Sequence, residues 1–146
     1  MATSKKASTG KKVFSDAELE AMQDAKVERK KGKKADGLAD LLAKIAELNA
    51  SDKAIAETIH ALVTTNAPSL SPKTWYGMPA WANADGKVVC FLTPAGKFDS
   101  RYASFGFNDS ARLDDGTVWP TSFAVTKLTK TDEDMFAALI RKAVGA

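Results

Sequence analysis

Lys87-Val88-Val89-Cys90-Phe91-Leu92-Thr93 decides the fold: it is rich in β-formers and apolar on both alternating faces, as a central, covered strand would be. Asp85-Gly86, just upstream, is a hairpin turn sequence. Downstream, Pro94-Ala95-Gly96-Lys97 turns the chain. Further short strands flank these turns. Thr74-Trp75-Tyr76 and Ala80-Trp81-Ala82 are interrupted by Gly77 and Pro79, in the manner of a bent or edge strand. Arg101 to Phe107 forms another strand, and after a loop over Asn108 to Gly116 a short last strand runs from Thr121 to Thr126.

The hydrophobic period changes outside this region. Leu38, Leu41, Leu42, Ile45 and Leu48 recur at helical spacing and predict a core-facing helix ending near Asn49. Ser51 is placed to cap a second helix that buries Ile55, Ile59, Leu62 and Val63. A closing helix follows the last strand, with Thr131 as its cap. Asp132, Glu133 and Asp134 lie at its positive end, Arg141 and Lys142 at its negative end, and Met135, Phe136, Leu139, Ile140 and Ala143 face inward. The order helix, helix, strands, helix, with short connections, predicts an α+β fold: an antiparallel sheet with helices packed on one side.

The N-terminus has a different character. Residues 1–34 carry ten Lys/Arg against five Asp/Glu, whereas the rest of the chain carries 11 against 13. The basic balance therefore belongs to an extension over 1–36, and 37–146 forms a slightly acidic domain. Residues 1–12 hold nothing large to bury and are expected to be disordered. Ser15 and Glu18 then form a capping box, with Phe14 and Leu19 as a hydrophobic staple. The helix they start, Asp16 to about Lys31, has only Leu19, Met22 and Val27 as an apolar stripe, so it reads as exposed or loosely docked, with Gly32 as its stop. Cys90 is the only cysteine, which excludes an internal disulfide and fits a reducing compartment. With no signal-like segment and no long apolar run, the chain reads as cytoplasmic and without a membrane partner.

From Thr74 to Trp81, the segment Thr-Trp-Tyr-Gly-Met-Pro-Ala-Trp resembles the YdhG-like family, a domain of unknown function. The hairpin and strand after it, Arg101 to Asn108, Leu113 to Gly116, Trp119-Pro120 and the closing helix are similar to one branch of that family. The resemblance runs from about Leu38 to the C-terminus. It implies a compact α+β domain, somewhat frataxin-like in outline, and it implies iron handling, since one member is regarded as an iron chaperone that uses an acidic ridge. Asp40 and Glu47 are the weak candidates for such a ridge here; Lys44 and Lys53 are mixed among the carboxylates, as on an ordinary solvated helix face.

Reactive groups are few. One Cys and one His cannot build a tetrahedral zinc site. His60 lies at the border of an apolar helix face with no assignable triad partner, and Cys90 reads as an inert core thiol. Pro94-Ala95-Gly96-Lys97 lacks P-loop spacing. No enzyme class emerges and no cofactor is implied. The second half of the chain is instead rich in aromatics, and turn-forming Pro and Gly beside three tryptophans suggest a cleft. Its candidate lining is Trp75, Met78, Trp81, Arg101, Tyr102, Asp114 and Trp119, an apolar pocket with a few converging charges. The expectation is a non-enzymatic binding module for a small ligand or protein. The alternative is weak, salt-sensitive association of nucleic acid with the basic arm through Lys30, Lys31, Lys33 and Lys34.

Overall fold

A computed structural model describes residues 15–31 (side chains through Ala25) and 36–145. The expectations for residues 1–12, Phe14, Val27, Gly32 and the side chains of Lys30, Lys31, Lys33 and Lys34 lie outside the described residues. Among the described residues the elements are α1 (Asp16–Lys31), α2 (Gly37–Ala46), α3 (Ala50–Asn66), β1 (Ser71–Trp75), β2 (Met78–Ala82), β3 (Val88–Thr93), β4 (Ala103–Phe107), β5 (Ser122–Val125) and α4 (Lys130–Ala143). The fold is α+β. The five strands form one antiparallel meander in chain order, so every connection joins neighbours.

Register divides the sheet into two faces, because residues directly opposite each other in an antiparallel pair share a face. Trp81, Cys90 and Phe107 form one row, and Leu92, Phe105 and Phe123 the next. These join Leu41 and Ile45 of α2, Ile55, Ile59 and Val63 of α3, and Phe136 and Ile140 of α4 in a single core. Phe105 touches Phe107 and Phe136 with ring centroids 4.9 Å apart in each pair. The opposite rows, Lys73–Ala80–Phe91–Gly106–Ser122 and Trp75–Met78, stay out of that core. Strand β3 is thus less covered than its composition implied: Phe91 and Thr93 are only half-buried.

Trp75 and Met78 close a two-residue hairpin in which Tyr76 and Gly77 both take positive φ, 52° and 76°. That geometry matches the twist of the flanking strands. Pro79 is tolerated inside β2, which is not an edge strand, because the β2–β3 ladder begins one residue later, at Ala80.

Several helix boundaries differ from the sequence expectation. Asn49 caps α3 in place of Ser51, its side chain accepting from the Asp52 amide at 2.8 Å. Thr129 caps α4 in place of Thr131, in a reciprocal box with Asp132. In both cases an earlier side chain reaches the free amides of the first turn. Leu38 and Leu42 are exposed although they continue the apolar spacing of α2. This helix lies so close to β1 that a Cβ on Gly37 would collide with the Pro72 carbonyl, and only Leu41 and Ile45 turn fully inward. The stripe on α1 also differs. Ala21 and Ala25 are buried, whereas Leu19 and Met22 stay exposed. Small residues let α1 approach β1, and the Asp24 carboxylate accepts from Lys44 Nζ at 3.3 Å and Lys97 Nζ at 3.4 Å.

Candidate functional site

The sheet face away from α2, α3 and α4 carries the half-buried Trp75 and Phe91. Their rings meet edge to face at 5.0 Å, and Tyr76 meets the indole in the same manner at 5.2 Å. Gly106 makes this possible. A Cβ there would lie 2.6 Å from Phe91 Cζ, so only glycine lets the phenyl ring lie across β4.

Beside Trp75 is a groove of about 370 Å³. Trp75 and Val88 give it an apolar lining. Lys73 joins from the same face of β1, two residues from Trp75. Gly86 and Lys87 come from the β2–β3 turn, where Asn83 Oδ1 accepts from the amides of Asp85 and Lys87, both at 3.0 Å. Asn108, Asp109 and Ser110 close the remaining side. That loop is pinned to β3: Asn108 Nδ2 and Ser110 Oγ both donate to the Val88 carbonyl, at 3.2 and 3.0 Å. Among the described residues, Lys73, Lys87 and Asp109 have no ion-pair partner. The groove therefore offers one aromatic plane, two free ammonium groups, one carboxylate and a hydroxyl.

The seven residues expected to line a cleft do not converge. Trp75 alone lines this groove, with Met78 opposite it in the ladder, 8% exposed and accepting at Sδ from Thr93 Oγ1 at 3.2 Å. Trp81 faces the other side of the sheet, in the core. Arg101 and Tyr102 are exposed ahead of β4, the guanidinium 5.3 Å from the ring centroid. Asp114 is exposed in the connection beyond the far end of the same strand, and Trp119 packs against the core. Lys73, Lys87, Asn108, Asp109 and Ser110 were the residues missed. Strand alternation already puts Lys73 on the face of Trp75, and the Asp85-Gly86 turn fixes Lys87; the loop needed the register.

Other reactive groups are engaged elsewhere. His60 Nδ1 accepts from Trp81 Nε1 at 3.2 Å, and burial pulls the imidazole below its ordinary pKa. Burial pushes the Cys90 thiol far above its ordinary range. Asp52, 3% exposed, accepts from the amides of Ala95 and Gly96 and from Asn49 Nδ2. Glu47 lies 3.7 Å from Lys44, and among the described residues no group of three or more His, Cys, Asp or Glu could hold a metal ion. No described helix is long and apolar enough to cross a membrane.

Fold and site together define an α+β domain with a polar groove on its open sheet face. Comparison with family models, curated proteins and solved structures gives no match.

Proposed function

We propose that the chain is a non-enzymatic binding module of the YdhG-like type, acting inside the cell, and that it holds its ligand in the groove beside Trp75. The observation that carries this reading is the pairing of a braced, half-buried indole with two lysines that have no ion-pair partner among the described residues, all in one groove. A cation left without a partner on a walled surface is set to meet an anion. The non-enzymatic part is supported by the reactive side chains: His60 serves Trp81, Cys90 is buried, and the Asp52 carboxylate holds a loop. An organic ligand suits the lining better than iron, because its charged side chains are mainly lysines.

Amide chemical shifts of the full chain, followed during titration with iron(II), a panel of small organic ligands and short nucleic acids, test this. The expected result is a cluster of shifts over residues 73–75, 86–88 and 108–110. Shifts confined to the basic arm would instead favour nucleic-acid association through the N-terminus, and a wholly silent panel would sink small-ligand binding.

A further inference from the structure

We infer that the Trp75 groove, if it is the ligand site just proposed, takes a planar aromatic ring joined to a phosphate: the chemistry of a nucleotide, supplied as a free mononucleotide or as a unit of a single strand. The indole meets Phe91 and Tyr76 at interplanar angles of 65° and 72°. Neither neighbour stacks on it in parallel, and the half-buried indole turns its remaining surface to the groove, where a ring can meet it. Lys73 is two residues away on the same face of β1, roughly 7 Å along the strand. That spacing suits a base on Trp75 with its phosphate at the ammonium. Lys87 approaches from the neighbouring turn and adds the second positive charge.

The remaining lining favours the same class. Asp109 and the Asn108 amide oxygen are acceptors for a base amino group or a sugar hydroxyl. A neutral aromatic would leave the lysines uncompensated, and a bare anion would leave the indole unused. The groove, about 370 Å³, is at the small end of ordinary ligand sites and admits one such unit.

The test uses the full chain with adenosine and uridine monophosphates, inorganic phosphate, a neutral aromatic and a short oligothymidylate, read by calorimetry and amide shifts. Monophosphates are expected to bind more tightly than phosphate or the neutral ring, with shifts at 73–75, 86–88 and 108–110. Trp75→Ala lowers that affinity roughly ten- to a hundredfold, and Trp75→Phe restores part of it. Lys73→Gln and Lys87→Gln each weaken binding and flatten its salt dependence. An intact amide spectrum for each variant shows that it folds. Binding of the strand alone assigns the unit to a single strand, and equal binding of the monophosphate assigns it to the free nucleotide; both support the inference. Nucleotide binding indifferent to Trp75→Ala and to both lysine changes overturns it, as does no nucleotide binding at all. If another panel member moves the groove residues while nucleotides do not, the ligand class falls and the site stands. If nothing moves them, both fall.

Discussion

Trp81 Nε1 donates a hydrogen bond to His60 Nδ1 at 3.2 Å, and the two ring planes are inclined by only 23°, as an in-plane N–H···N bond between them allows. An imidazole that accepts at Nδ1 must be unprotonated there. Burial, which holds its pKa below the ordinary value, favours the same state. The unfolded chain, with an ordinary histidine pKa of about 6.5, takes up the proton first. The stabilisation is therefore complete above that pH and is lost as pH falls from it through the lower folded value. Urea unfolding between neutral and mildly acidic pH should show this decline. A His60→Gln variant should show less of it; an identical decline in both proteins would remove His60 as its source.

The buried carboxylate of Asp52 accepts three N–H donors: the Ala95 and Gly96 amides, which hold the turn after β3 to the start of α3, and Asn49 Nδ2 within that helix start. Asp52→Ala leaves those donors unmet and should cost about 3 kcal/mol by chemical denaturation. Asn49→Ala, which removes the cap of the same helix, should cost about 1 kcal/mol. A change within error at Asp52 would mean that water replaces the carboxylate.

Gly77 takes φ +76°, and a Cβ there would meet the Asp24 carboxylate and the Lys97 ammonium. Gly77→Ala should lower stability by about 2 kcal/mol from the left-handed backbone alone, and it should displace Asp24 as well. Thermal melting gives the first effect. Hydrogen exchange on α1, faster in the variant than in the parent, gives the second.

Gly106→Ala places a methyl group against the Phe91 ring. The expected cost is about 1–3 kcal/mol, as for other overpacked positions. The indole N–H signal of Trp75 should move as its brace shifts, whereas that of Trp81, on the other face, should hold.

Much of the fold was legible because its signals are local. The Asp85-Gly86 turn, the apolar period of α3 and the strand composition of β3 each act over a few residues. Caps were misplaced by two residues at α3 and α4 because Asn49 and Ser51, like Thr129 and Thr131, have equal chemistry for the role, and only the path of the chain chooses between them. The exposure of Leu38 and Leu42 depends on how closely α2 lies on β1, which no periodicity carries. The site was less legible than the fold. Trp75 and Trp81 look alike in sequence, yet they lie on opposite faces of the sheet because an odd number of strand positions separates β1 residues from their β2 partners. Asn108, Asp109 and Ser110 reach the groove only through the pairing of β3 with β4.

The two borders of the sheet are unequal. On β1, Pro72 and Lys73 interrupt the outer margin and two helices crowd it, whereas Ser122–Val125 of β5 carries neither proline nor lysine. Endless strand-to-strand stacking into fibres requires two receptive margins per molecule, and here the first is blunted. Any lengthening of the sheet can start at β5 alone, and joining two such margins would use up both, ending at a pair.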